Sequence, residues 1–169
     1  MDDMALYESI RPRMQTGDLL LWHTHNPLGA AIRLVRKSNI NHASVAIRLR
    51  EFETEDDLIL NCEAVQTVET NLLSRRLSGH DGECWWHPMV NEMREIIGDH
   101  AMTRRALKYT GLGYDTSTLF RMATSRPLMD DATMICSELV QFIVGYTGNV
   151  LAPDELLNMG YHGKGEQIL

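Results

Sequence analysis

Residues 42–50 read HASVAIRLR, and every second residue of this stretch is apolar. The period of two predicts a β-strand, because successive side chains of a strand point to opposite faces of the sheet. One face of the predicted strand is aliphatic and carries Ala43, Val45, Ile47 and Leu49. His42 begins the strand on the opposite face, so we expect its imidazole to point away from the core that the aliphatic face builds.

Three more stretches predict strands. They are LLLWH at 19–23, which follows the turn signal Thr16-Gly17-Asp18, LILNCEAVQ at 58–66, and ECWWHPM at 83–89, which Pro88 ends. Within LILNCEAVQ the alternation puts Glu63 on one face and Cys62 on the other. If this strand lies beside HASVAIRLR, it can present the Glu63 carboxylate to His42.

Helical spacing predicts the other elements. We expect a short helix near the N-terminus, a helix that begins at Asn26-Pro27, and a helix over about 91–109 that Gly98-Asp99 is able to split. A last helix runs from Cys136 to about Thr147 and ends at Gly148. Strands and helices segregate along the chain, which favours an α+β fold with a small antiparallel sheet flanked by helices. No repeat or linker divides the sequence, so we predict a single domain over 1–169.

The charge balance argues against a nucleic-acid partner. Asp plus Glu number 23 and Lys plus Arg number 16, which gives a net charge of −7. An acidic surface repels phosphate backbones, and the pairs Arg75-Arg76 and Arg104-Arg105 are too sparse to form a basic stripe. No apolar stretch is long enough to span a bilayer, and the opening residues MDDMALYESI do not resemble a secretory signal. We therefore predict a cytoplasmic protein with no nucleic-acid partner and no integral membrane segment.

Cysteine usage directs attention to one thiol. The three cysteines, Cys62, Cys84 and Cys136, include no Cys-x-x-Cys pair, which argues against a disulfide framework or a four-cysteine zinc site. Cys136 stands at the predicted N-terminus of a helix, where unpaired backbone N–H groups and the helix dipole stabilise a thiolate. A thiolate nucleophile needs a nearby imidazole, for which His42 is the candidate, and Glu63 is the candidate for fixing its tautomer. The alternative is that Cys136 is a small buried side chain, His42 is structural and Glu63 is solvated.

Five short motifs follow one another along the chain: GDLLLWH, SNINHASVAI, NCEAV, GLGYD and MICSELVQF. Their combination and order, from about Gly17 to Leu157, resemble the circularly permuted branch of the NlpC-type papain-like cysteine hydrolases. YiiX-like proteins belong to that branch, and lecithin:retinol acyltransferase-like enzymes are related to it. The resemblance implies a papain-like fold in which the histidine strand precedes the cysteine helix, as His42 precedes Cys136 here.

The resemblance also implies roles for individual residues. Cys136 would be the nucleophile, His42 the general base and acid, and Glu63 the residue that orients His42. Tyr114, in GLGYD, matches a position near the cleft and would bind substrate, with ordinary packing after a turn as the alternative. No cofactor and no metal is implied.

The implied activity is hydrolysis of an amide bond through a thioester on Cys136. Substrates would be small peptides, γ-glutamyl compounds, peptidoglycan-stem fragments or acyl compounds. One alternative is a lipid acyltransferase or thioesterase-like enzyme of the same fold, and another is a binding module without turnover. A metal site at His23-x-His25 is the weakest alternative. Cys62 and Cys84 have apolar neighbours and are predicted to be structural thiols.

Overall fold

The computed structural model describes residues 4–25, 38–49, 58–114 and 133–169. Its elements are, in chain order, α1 (Ala5–Ile10), a 3-10 helix (Arg11–Arg13), β1 (Leu19–Thr24), β2 (His42–Leu49), β3 (Leu58–Ala64), β4 (Val68–Leu72), α2 (Leu73–Ser78), β5 (Gly82–His87), α3 (Asn91–Ile97), α4 (Asp99–Tyr109), β6 (Gly113–Tyr114), β7 (Thr133–Met134), α5 (Cys136–Ile143), a second 3-10 helix (Pro153–Met159) and β8 (Glu166–Gln167). The helix predicted to begin at Asn26-Pro27 lies outside the described residues.

Six of the strands form one antiparallel sheet in the order β4-β3-β2-β1-β5-β8. The HASVAIRLR stretch forms β2, which hydrogen-bonds β1 on one side and β3 on the other. A short parallel pair, β6 and β7, forms a second sheet, and a single bridge joins Gly113 of β6 to Thr67, next to β4. The α+β class and the antiparallel sheet with helices are therefore confirmed.

Hydrophobic residues are buried on both faces of the sheet. On one face, Ala43, Val45 and Ile47 belong to a core that includes Leu139 of α5 and Met102 of α4. The opposite face has a second core, whose members include Tyr7 and Ile10 of α1, Leu20, Trp22, Ala46, Leu73 and Leu77 of α2, and Trp86. His42 is thus on the face away from the aliphatic core, as the alternation predicts, but that face is buried as well.

The last helix ends earlier than the sequence predicts, at Ile143 rather than near Thr147. Its end is a Schellman motif, because the Gly145 N–H bonds the Phe142 carbonyl at 3.1 Å and the Tyr146 N–H bonds the Gln141 carbonyl at 2.8 Å. Gly145 has a φ of 71°, a conformation that glycine adopts without strain.

The helix predicted over about 91–109 is split at Gly98-Asp99, which the sequence analysis allows. It forms two helices, α3 and α4, separated by Gly98 with a φ of 80°. The strand β4 and the helix α2, which follow β3, have no counterpart in the sequence-based prediction. Among the described residues, no helix combines the length and the apolar character needed to cross a membrane.

Candidate active site

The register between β2 and β3 brings His42 and Glu63 together. Ser44 and Glu63 are directly opposite each other in this pair, and His42 lies two residues before Ser44 on the same face. His42 and Glu63 are therefore diagonal neighbours, a separation that a long side chain can bridge. The Nε2 atom of His42 lies 2.8 Å from Oε2 of Glu63. Both residues are buried, with His42 7% and Glu63 2% exposed.

Cys136 meets the same imidazole from the helix side. It is the first residue of α5, which packs against β2 and β3, and its thiol is close enough to His42 to raise the pKa of the imidazole. Because Nε2 of His42 faces Glu63, the nitrogen left for exchanging a proton with Cys136 is Nδ1. The structure thus brings together the three residues that the sequence analysis singled out as nucleophile, base and orienting group.

The start of α5 is fixed by its own first turn. Ile135 precedes the helix in an extended conformation, and its N–H donates to the carboxylate of Glu138 at 3.1 Å. The first backbone N–H groups of a helix have no acceptor within the helix. Cys136 is the first residue of the helix, so its N–H is one of these groups.

Tyr114 is described only in part. It lies in β6, where it is paired with Met134 of β7, two residues before Cys136 in the chain. The side chain of Tyr114 lies outside the described part of the structure, so its role in binding substrate stays a prediction.

Burial and charge act in opposite directions on the His42–Glu63 pair. Burial lowers the pKa of His42, but the hydrogen bonds and negative charges of Cys136 and Glu63 outweigh it and raise this pKa from 6.5 to about 9. Burial raises the pKa of Glu63, but the hydrogen bonds and positive charges of His42 and Arg76 outweigh it and lower this pKa from 4.5 to about 2. At neutral pH the pair is an imidazolium and a carboxylate.

Sequence reasoning missed two residues that support this pair. Arg76, dismissed above as part of a sparse basic pair, donates from Nε to Oε1 of Glu63 at 2.6 Å. Asn41 ties the start of β2 to the end of β1: its Oδ1 accepts from the Thr24 N–H at 3.0 Å, and its Nδ2 donates to the Thr24 carbonyl at 2.9 Å. The sequence offers one sign of the role of Asn41, which is a polar residue directly before a predicted strand. No local pattern indicates that Arg76 contacts Glu63.

The other residues considered in the sequence analysis lie elsewhere. His23 is 3.3 Å from the carboxylate of Glu83, and His25 is 3.2 Å from that of Asp81. Within the described ranges, no group of three or more His, Cys, Asp or Glu residues is arranged to hold a metal ion.

The remaining two cysteines are buried thiols of the two cores. Burial raises the pKa of Cys62 from 9.0 to about 11, despite a hydrogen bond with Thr70 that lowers it. Burial also raises the pKa of Cys84 well above its ordinary value. Both therefore remain protonated near neutral pH and are poor nucleophiles.

Comparison with known proteins gives a likeness of fold. The chain matches no protein-family model and no curated protein. Among solved structures it is similar to the crystal structure of the metalloprotein yiiX from Escherichia coli O157:H7, with a TM-score of 0.58 and 20% sequence identity. The likeness covers 76% of this chain and 63% of the yiiX chain, so this chain spans less than two thirds of that protein. This supports the predicted relation to YiiX-like proteins at the level of fold.

Proposed function

We propose that this protein is a papain-like cysteine hydrolase of the permuted NlpC type, in which Cys136 attacks an acyl carbonyl. One observation carries the proposal: a buried imidazole is bonded on Nε2 to a carboxylate and lies near a thiol at the first residue of a helix, close enough for the thiol to raise the pKa of the imidazole. This is the arrangement of a nucleophile, a base and a group that orients the base, which thiol and serine hydrolases share on unrelated folds.

The proposed acylation step begins from a thiolate–imidazolium pair. Cys136 acts as the thiolate and His42 as the imidazolium, and the Cys136 sulfur forms a bond to the substrate carbonyl carbon. The carbonyl oxygen takes the negative charge, and we assign its stabilisation to the Cys136 N–H. As the tetrahedral intermediate collapses, the C–N bond breaks and His42 gives its Nδ1 proton to the leaving amine. The product that remains is a thioester on Cys136.

Hydrolysis of the thioester reverses these roles. His42, now neutral, takes a proton from a water molecule whose oxygen attacks the thioester carbonyl. The C–S bond breaks, the carboxylic acid leaves, and the thiolate–imidazolium pair is restored. Glu63 keeps the proton of Nε2 in place throughout, so that Nδ1 is the nitrogen that alternately donates and accepts.

The resemblance to NlpC-type enzymes favours an amide substrate of peptide, γ-glutamyl or peptidoglycan-stem type. The same thioester chemistry also serves acyl lipids, so a lipid acyltransferase or thioesterase-like enzyme is the alternative. Incubation with a γ-glutamyl anilide, a stem tripeptide, a long-chain acyl thioester and a phospholipid separates the two, with the acyl group on Cys136 detected by intact-protein mass spectrometry. A binding module without turnover predicts no adduct and no product from any of them.

Selective alkylation tests the nucleophile directly. At pH 6, iodoacetamide is expected to label Cys136 of the native protein at least tenfold faster than Cys62 or Cys84, because only Cys136 has an imidazolium partner. His42→Ala is expected to slow the labelling of Cys136, whereas the control Cys62→Ala leaves it unchanged. Equal rates at all three cysteines in the folded protein, or no response to His42→Ala, would refute the proposal.

The neighbour yiiX is a metalloprotein, and a metal-dependent role is therefore a second candidate. On this chain it would use the adjacent rings of His23 and His25, whose centroids are 4.7 Å apart. Metal analysis of the purified protein, compared with a His23→Ala variant, tests it. A stoichiometric metal that the variant loses would favour this role over thiol chemistry.

A further inference from the structure

Arg76 is held by an aromatic ring, Trp22, and a polar group, His80, in addition to the charge of Glu63. Its guanidinium carbon lies 4.7 Å from the centre of the Trp22 ring, a distance typical of a cation–π contact. Its Nη1 donates to Nδ1 of His80 at 3.2 Å. Nε is the atom that donates to Glu63 at 2.6 Å. The planar guanidinium is thus fixed in orientation, which the flexible chain of an unrestrained arginine is not.

His80 is suited to holding Arg76 because it stays neutral. Burial and then the charge of Arg76 lower the pKa of His80 below its ordinary value. Nε2 of His80 lies 3.0 Å from the His23 carbonyl and must donate to it, which leaves Nδ1 as the acceptor for Arg76. The ring also meets Trp22 edge-on, with centroids 4.9 Å apart.

We propose that Arg76 is a positioning residue of the Cys136 site, which keeps the Glu63 carboxylate ionised and turned toward His42. The inference rests on the proposed function, since it assigns Arg76 to the same proton-transfer machinery. Arg76 binds Oε1 of Glu63 and His42 binds Oε2, so the two cations divide the carboxylate between them. Among the described residues, the hydrogen-bond partner of Oε2 is His42.

The charged groups around Glu63 make the expected effect specific. His42 and Arg76 contact the carboxylate directly, and Cys136 and His80 lie one contact further away. An opposite charge at contact distance lowers the pKa of a carboxyl group by roughly 1 to 3. Without Arg76, Glu63 would therefore take up a proton at a pH about 1 to 3 higher than in the native protein. A protonated Glu63 no longer binds the imidazolium as a charged acceptor.

The test follows Glu63 itself by NMR, with ¹³C-labelled glutamate carboxyl groups titrated from pH 2 to pH 7 and assigned with Glu63→Gln. In Arg76→Gln the midpoint of Glu63 is expected to rise by about 1 to 3 pH units. Arg76→Lys keeps the charge without the planar guanidinium and is expected to lie in between. Arg75→Gln, a change at an exposed neighbour on the same helix, is the matched control and is expected to leave the midpoint unchanged. At pH 4 the downfield signal of the His42 Nε2 proton is expected to persist in the control and to weaken in Arg76→Gln in proportion to the protonated fraction of Glu63.

These results separate the inference from the proposed function, because neither signal requires turnover. If the midpoint and the Nε2 proton behave alike in the Arg76 and Arg75 variants, Arg76 has no positioning role, whatever Cys136 does. If they differ as expected while Cys136 fails the alkylation test, the electrostatic role stands and the hydrolase proposal fails. Should Arg76→Gln not fold, Arg76→Lys carries the same test, and a Lys variant with native values for both signals would overturn the inference.

Discussion

Replacing Glu63 by glutamine removes the one negative charge that separates His42 from Arg76. In the native protein, Oε2 of Glu63 lies 2.8 Å from Nε2 of His42 and Oε1 lies 2.6 Å from Nε of Arg76. Glutamine has nearly the same shape, but one of its two terminal atoms is an NH₂ group, which donates hydrogen bonds. In either orientation of the amide, its NH₂ group would face an N–H donor, either that of His42 or that of Arg76. The substitution therefore tests the charge and the acceptor of Glu63 with little change in packing.

The magnitude follows from the pKa of His42. This pKa stands at about 9 rather than 6.5, although burial alone would lower it. The difference of about 2.5 corresponds to about 3 kcal/mol in favour of the imidazolium. Cys136 and Glu63 supply this free energy together, so losing Glu63 is expected to lower the pKa of His42 by about 1 to 3. Leaving Arg76 and His42 without their shared anion is expected to cost about 3 kcal/mol of the free energy of unfolding.

The pH dependence of this cost has a definite sign. The raised pKa of His42 stabilises the fold fully below 6.5, and this contribution is lost as the pH rises through about 9. The lowered pKa of Glu63 stabilises the fold above 4.5, and this contribution is lost as the pH falls through about 2. The stability difference between the native protein and Glu63→Gln should therefore be largest between pH 4.5 and 6.5.

Two measurements check these expectations: the ¹H–¹³C titration of the His42 ring, assigned with His42→Gln, and urea unfolding from pH 4 to pH 10. Glu83→Gln is the matched control, because Glu83 also pairs with a histidine, His23, but at 3.3 Å and with a half-exposed carboxylate. The control should leave the His42 midpoint near its native value. A folded Glu63→Gln protein whose His42 still titrates near 9 would refute the reasoning.

Three further substitutions have expected outcomes away from the site. Burial lowers the pKa of His162 from 6.5 to about 4, so this residue should contribute a loss of about 3 kcal/mol of stability as the pH falls from 6.5 to 4. In urea titrations His162→Gln should lose less stability over this range, and equal losses would contradict this. Gly145→Ala should cost about 1 to 2 kcal/mol and lower the Tm by several degrees, because alanine at a φ of 71° is strained; an unchanged melt would contradict it. The Asp18 carboxylate is buried and accepts hydrogen bonds from Gln15, Met89, Trp86 and Arg94. Asp18→Asn should therefore lower the free energy of unfolding by about 3 to 5 kcal/mol. The control Asp81→Asn, at an exposed position, should leave it nearly unchanged.

Much of the site could be predicted from the sequence because its parts depend on local periodicity. The alternation in β2 puts His42 on the face of the sheet opposite to that of Ala43 and Val45. The alternation in β3 likewise puts Glu63 and Cys62 on opposite faces. Helical spacing after Cys136 locates the start of α5. These patterns state which face each side chain occupies, but the pairing of β2 with β3 and the approach of Cys136 to His42 had to be assumed. Strands that follow one another along the chain are usually neighbours in the sheet, so the pairing of β2 with β3 is the expected one.

The rest depends on contacts that no local pattern contains. Arg76 reaches Glu63 only because β4 pairs with β3 and α2 then folds back over the second face of the sheet, and neither element was predicted. Either Gly145 or Gly148 could end α5 on the sequence alone. The helix ends at Gly145, and the ring of the next residue, Tyr146, packs against that of Tyr161 with centroids 6.0 Å apart. Both outcomes are set by tertiary packing, which overrides local propensity.

Charge alternates along the row of contacts formed by Cys136, His42, Glu63 and Arg76. In the proposed thiolate–imidazolium state the signs are negative, positive, negative and positive. The N-terminus of α5 lies at one end of the row and the face of the Trp22 ring at the other, and both favour the charge they meet. An isolated buried charge is costly, so each member depends on its neighbours for its charge state. His42 and Glu63 each have two charged neighbours and the end members have one. Neutralising an inner member should therefore disturb the site more than neutralising an end member.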